Sequence, residues 1–155
     1  MHLFTREGYD LAVRFTLVAT AVAALPARSC LVDDEATACD QNDLAVFEMN
    51  HWRHDGDVVF RAFDLLGLNG QDLRKAPIEE RKRTMAKSLR RCADRRPGIT
   101  FGDGTTLFQH ACRFGCEGIV SKRLGSPYRS GHVDDWAKIK NPLAPAAKRE
   151  ADRGR

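Results

Sequence analysis

A chain of 155 residues, 43% hydrophobic and 30% charged, has the length and balance of one globular domain with a real core, not of a disordered or membrane-spanning chain. Its 25 Lys and Arg against 21 Asp and Glu give a formal charge of +4 and a pI near 8.9, which permits a nucleic-acid partner without demonstrating one. Five cysteines, odd in number and irregular in spacing, exclude a disulfide framework and fit a reducing, cytoplasmic setting.

Leu3 to Arg6 reads as a short strand, and Gly8 turns the chain toward a helix. The apolar run Phe15 to Leu25 faintly resembles a signal peptide, but Glu7 and Asp10 spoil the basic leader and the run is too short to span a membrane. The helical reading is better: Leu11, Phe15, Val18, Val22 and Leu25 follow one buried helix face, Asp10 is the expected N-cap, and Pro26 ends the helix. Cys30 to Cys39 is a strand, with Asp33 and Glu35 on one face and Val32, Ala36 and Ala38 on the other. Gln41 to Asp43 reads as a turn and Leu44 to Glu48 as the return strand of a hairpin. In the polar loop His51 to Asp57, two histidines near an aspartate are better read as solvated residues than as metal ligands.

Val58 to Leu66 is a strong strand and Asn69-Gly70 a turn. Pro77 opens a helix to about Ala93, with Ile78, Met85, Leu89 and Cys92 inside and Arg81, Lys82, Arg83, Lys87, Arg90 and Arg91 outside. Such a basic face is first a solvated one, and contact with DNA phosphates comes second. Asp103 or Thr105 caps a third helix, which Gly115 stops. Cys112 and Cys116 sit four apart near His110, but a wider metal-ligand set is missing and small core residues are the better reading.

The segment EGIVSKRLGSPYRSGHVDDWAKIKNP, Glu117 to Pro142, organises the chain as strand, loop, strand. Gly118 to Leu124 is the first strand. In the second, Trp136, Lys138 and Lys140 fall at a spacing of two and project from one face. With Lys122 and Arg123 they make either an anion site suited to a polyphosphate or a solvated edge that resists aggregation. Glu117 offers an oxygen ligand of the kind a phosphate-bound Mg²⁺ takes. An odd number of residues separates it from Lys122, so it serves the same site only from the strand entrance or a bulge.

EGIVSKR followed by DWAKIKNP resembles motifs IV and V of the ATP-dependent DNA ligases, in particular the ligase domain of bacterial non-homologous end-joining enzymes. VDDEATACD resembles motif III, FRAFDLLGLNGQDLR motif IIIa, and TREGYDLAVRF the segment after the nucleophile motif, all in the family's order. FDLLGLNGQDLR argues against an RNA ligase or capping-type enzyme. The resemblance implies an α+β fold with two mainly antiparallel sheets and flanking helices: a partial covalent nucleotidyltransferase (DNA ligase adenylation) domain over residues 1–142. A charged, disordered tail is expected over 143–155.

It further implies ATP and Mg²⁺ (or Mn²⁺) as cofactors and nicked or broken double-stranded DNA as partner. The activity would be strand joining through enzyme-AMP and DNA-adenylate intermediates, in a cytoplasmic, nucleoid-associated protein with no membrane partner. Residue by residue, it implies Glu35 on the ribose or metal side, Phe63 stacking on adenine and Glu117 as a metal-binding acid. Lys122, Lys138 and Lys140 would neutralise the α-phosphate, and Arg6 would be a further nucleotide contact. The family's nucleophile stands in a Lys-x-Asp-Gly motif, which these 155 residues do not contain; the first lysine is Lys75. Asp34 replaces a glycine and Glu7 an asparagine, so negative charge is expected beside the phosphates; Arg61 stands where a tyrosine is common. The expectation is an N-terminally truncated ligase domain, inactive alone. It is either one piece of a split enzyme whose separate chain supplies the nucleophile, or a non-catalytic nucleotide- or DNA-binding remnant.

Overall fold

The computed structural model describes residues 1–38, 58–89, 103–131 and 133–144. The N-terminus is a turn rather than a strand. Phe4 and Asp10 form a single bridge, Gly8 sits at φ 88°, and Thr5 N donates to Tyr9 O at 2.8 Å. Asp10 does not cap the following helix. Its carboxylate accepts from Leu3 N at 3.1 Å, Ala12 N at 2.9 Å and His2 Nδ1 at 2.7 Å, so it closes the turn instead. Helix α1 (Thr16–Ala23) therefore starts at Phe15 without a side-chain cap. Its stability comes from its apolar face, where Val18 and Val22 are buried.

Strands β1 (Cys30–Ala38), β2 (Val58–Leu68) and β3 (Gln71–Asp72) form one antiparallel sheet in the order β1-β2-β3. The turn into β3 uses Asn69 at φ 52° and Gly70 at φ 87°, a pair suited to a two-residue hairpin. The Asn69 side chain also accepts from Arg28 N at 2.8 Å, which fixes the entry to β1. Expectations for Cys39, Gln41 to Asp43, Leu44 to Glu48, His51 to Asp57, Arg90, Arg91, Cys92 and 145–155 fall outside the described residues.

The β1–β2 register is not regular. Leu31 pairs with Gly67 but Val32 with Leu65, and Asp33 pairs with Asp64 but Asp34 with Ala62. Leu66 and Phe63 are thus extra residues in β2, two bulges that bend the strand and re-aim its side chains. Cross-strand partners share a face. Cys30, Val32 and their partners Leu68 and Leu65 face the core, with Ala62, Leu73, Met85 and Leu25. Leu31, Asp33 and Glu35 face away from it. Full burial of each large apolar side chain there contributes about 1.5–3 kcal/mol.

Helix α2 (Ile78–Leu89) follows Pro77 and lays Ile78 and Met85, each 2% exposed, on the core. Arg81 belongs to this inner face and not to the exposed basic one: its side chain is completely buried in an ion pair with Asp64. Lys82 is half-buried, while Arg83 and Lys87 are exposed. Helix α3 (Gly104–Arg113) is capped by Asp103, which accepts from Thr106 N and Oγ1 at 2.8 Å, and Gly115 at φ 75° stops it. Strands β4 (Gly118–Lys122) and β5 (Trp136–Lys140) pair antiparallel as a second sheet. The base of this hairpin is fixed by buried Asn141, whose Nδ2 donates to Cys116 O at 2.9 Å and whose backbone N donates to Glu117 O at 2.8 Å. Packing continues to Ala144, 2% exposed. No helix among the described residues is long and apolar enough to cross a membrane.

Candidate functional site

Register sets one face of the second sheet. Lys122 pairs with Trp136, Val120 with Lys138 and Gly118 with Lys140, so Lys122, Trp136, Lys138 and Lys140 stand on the same side. Ile119 and Ile139 pair on the other. Glu117 sits, exposed, at the strand entrance, where Gly118 adopts φ 154° and interrupts the alternation.

That basic face meets the outward face of the first sheet. The Lys122 Nζ lies 3.9 Å from the Trp136 ring centroid and 5.6 Å from that of Phe63, the bulge residue of β2. Ammonium over aromatic faces is attractive, most strongly over an indole. Burial pushes the Lys122 pKa down, and the carboxylates of Asp64 and Asp33 oppose that push. Lys82 is likewise lowered, by burial first and then by the charge of Lys122, which puts a second cation in this neighbourhood. Tyr128 closes the group: its hydroxyl donates to Asp33 Oδ2 at 3.2 Å and its ring meets Trp136 edge-on at 5.8 Å. Burial, then Asp33, raises the tyrosine pKa. The Trp136 Nε1 is buried with no acceptor among the described residues.

Of the residues read from sequence, Phe63 and Lys122 meet directly, and Lys138 and Lys140 share the Lys122 face. Glu35 lies exposed on the outward face of β1, two residues from Asp33 and across from Arg61. Arg6 is exposed in the N-terminal turn. No hydrogen bond, ion pair or ring contact among the described residues joins Arg6 or the Glu117 side chain to the Lys122 group. Asp34 is not beside that group. The register places it on the core side opposite Ala62, and burial followed by the charge of Asp33 pushes its pKa up to about 7. Sequence patterning places Trp136 only in a strand and gives Tyr128, Asp33, Arg81 and Asn141 no site or supporting role. Trp136 and Tyr128 carry a local signal, two aromatic side chains interleaved with Lys122, Lys138 and Lys140.

The described residues hold no cluster of three His, Cys, Asp or Glu side chains able to cage a metal. A Mg²⁺ here would take most of its ligands from phosphate oxygens and water. The whole arrangement has an aromatic platform, a desolvated ammonium over it and two further lysines along the same sheet face. That suits a planar base carrying phosphates.

Comparison with known proteins agrees with this chemistry. A family model described as "ATP dependent DNA ligase domain" matches residues 1–140. The multifunctional non-homologous end joining protein LigD of Pseudomonas aeruginosa is 32% identical over 152 residues, covering 92% of this chain and 18% of that protein. The LigD of Mycobacterium tuberculosis H37Rv is 27% identical over 143 residues, covering 91% of this chain and 19% of its own. The crystal structure of the ligase domain of M. tuberculosis LigD superimposes with a TM-score of 0.78 at 27% identity, over 90% of this chain and 47% of that one. A mycobacterial DNA ligase D complexed with ATP and MES gives 0.74 at 28% identity. The chain thus spans about a fifth of those curated relatives and about half of the solved ligase domain. With the family match over nearly its whole length and the same nucleotidyltransferase fold, the chain belongs to the ATP-dependent DNA ligase domain family.

Proposed function

We propose that this chain forms the nucleotide-facing part of a DNA strand-joining enzyme, taking ATP with Mg²⁺ between its two sheets. One observation carries the reading: the Lys122 ammonium stands over the ring of Phe63, so a phosphate-neutralising cation and a base-stacking platform adjoin across the two sheets. Phe63 stacks the adenine, a task for a flat apolar ring. Lys122, Lys138 and Lys140 neutralise the α-phosphate, Glu117 and Glu35 supply metal-side oxygens, and Arg6 contributes from the N-terminal turn. Bound Mg²⁺ would shield phosphate charge, and the protein's own work is positioning. Exposed Arg83 and Lys87 on α2 face solvent and are available to DNA phosphates.

The 155 residues contain no Lys-x-Asp-Gly, which favours a second reading for this chain by itself: it binds nucleotide or DNA without joining strands unless another segment brings the nucleophile. Calorimetry with ATP and Mg²⁺ tests the site. Binding in the micromolar range or weaker is expected, lost in Phe63→Ala. Binding unaffected by Phe63→Ala would remove Phe63 from the site.

A further inference from the structure

Among the described residues, one buried titratable group outside the proposed site touches three separate segments. The Arg81 guanidinium binds Asp64 bidentately, Nε to Oδ1 at 2.8 Å and Nη2 to Oδ2 at 2.9 Å, with both side chains fully buried. Its Nη1 donates to Ala76 O, just before α2, and to Ser126 O at 3.1 Å in the turn after β4. Asp64 directly follows the bulge residue Phe63, and its Oδ1 also accepts from Leu65 N at 2.9 Å. Ser126 closes the turn that begins beyond Lys122, with its Oγ donating to Arg123 O at 2.7 Å. A second strap runs parallel, since Gly125 N donates to the Glu79 carboxylate at 2.9 Å. Among the described residues, no hydrogen-bonded strand pairing joins the two sheets. The β4–β5 loop is also tied by Tyr128 N donating to Arg74 O at 2.7 Å and by the Tyr128 hydroxyl on Asp33, and the Arg81 link is the one that reaches β2 beside Phe63.

We propose that Arg81 is a positioning residue, whose buried guanidinium sets the Lys122 ammonium opposite the Phe63 ring by holding β2 and the β4–β5 turn at fixed distance. The planar fork can satisfy a carboxylate and two carbonyls at once, and a lysine ammonium cannot hold that span. The proposal deepens the nucleotide-site reading by naming what fixes its platform-to-cation spacing.

The test uses the full chain. Proton NMR reads the contact between the Lys122 ε-methylene and the Phe63 ring as a nuclear Overhauser effect without any ligand, and the Lys122 contact with Trp136, its partner within the hairpin, serves as the internal control. The native protein should show both contacts, and Arg81→Lys should lose the Phe63 contact and keep the Trp136 one while amide dispersion persists. Should Arg81→Lys fail to fold, the apolar pair Arg81→Met with Asp64→Leu fills the same space without the link to Ser126 and should also lose the Phe63 contact. A Phe63 contact retained in a folded variant, or absent from the native protein, overturns the proposal. Calorimetry adds the ligand side. AMP affinity should fall roughly tenfold in the variant with adenosine affinity unchanged, because the platform stays and the cation moves. Equal losses for AMP and adenosine would overturn the positioning role. Native protein that binds neither would end the nucleotide reading, while the Lys122–Phe63 contact still decides the role of Arg81.

Discussion

Asp34 is a carboxyl held on the wrong side of its strand for a polar group. It faces Ala62 and the core, with the charge of Asp33 beside it, and its pKa rises from 3.8 to about 7. Because the folded pKa lies above the unfolded one, the protonated form favours the fold. Its contribution is full below pH 4 and is lost as pH climbs toward 7. Asp34→Asn copies the protonated shape without the charge. It should leave stability unchanged near pH 4 and raise it above pH 7, by on the order of 1–2 kcal/mol once the water reaching this half-buried group is allowed for. Urea unfolding at pH 4 and pH 8 checks this, and an equal gain at both would mean that charge is not the cause. Arg81 shows the converse misreading. It lies three residues after Ile78 and four before Met85, on the apolar stripe of α2, so its burial was legible from spacing. A run of basic neighbours obscured that position, and only the tertiary partner Asp64 makes a buried guanidinium affordable. Removing either member alone should cost about 3–5 kcal/mol, since the other is left charged and dry.

At the scale of elements, the helices and the strands flanking the site were legible because apolar spacing, Pro77, Asp103 and Gly115 mark them directly. The bulges at Phe63 and Leu66 were not. Period-two alternation along β2 has no local mark for an extra residue, and the register appears only when β1 is laid beside it. The direction of Phe63, and so its meeting with Lys122, depends on one of those bulges. The entrance to β4 is set differently, by a single glycine. Gly118 holds φ 154°, and a Cβ built there would meet Ile139 O at 2.2 Å. Gly118→Ala must therefore push β5 away or shift the pairing that sets Lys138 and Lys140 beside Lys122. We expect a loss of about 1–3 kcal/mol, the range for a residue forced into a sparsely populated conformation. Broadened amide resonances should be confined to β4 and β5. Thermal unfolding and NMR together check it, and a variant as stable as the native chain would show that the hairpin can yield there.

For the molecule as a whole, the proposed strand-joining chemistry would turn on a nucleophile. Transfer of AMP to a protein amine needs that amine neutral, aligned with the α-phosphate and close to it. Lys122 is the strongest substitute among the described lysines at the site, because burial lowers its pKa. Its neighbours oppose that lowering in part. The ammonium lies against the Trp136 ring at 3.9 Å, and the charges of Asp64 and Asp33 favour the cation. In the proposed role, a lysine that neutralises phosphate by staying charged would have no lone pair to attack with. Lys138 and Lys140 stand exposed on the same sheet face, without the desolvation an amine nucleophile requires. Without a nucleophile held in line, the proposed reaction would forgo the positioning advantage, on the order of 7–11 kcal/mol. The 155-residue chain incubated with α-labelled ATP and Mg²⁺ should therefore carry no stoichiometric label after denaturing electrophoresis. Label lost specifically in Lys122→Ala would identify Lys122 as the nucleophile and defeat this argument. Label that appears only when a peptide bearing Lys-x-Asp-Gly is added would place the nucleophile on a separate segment, with this chain providing the platform and the phosphate lysines.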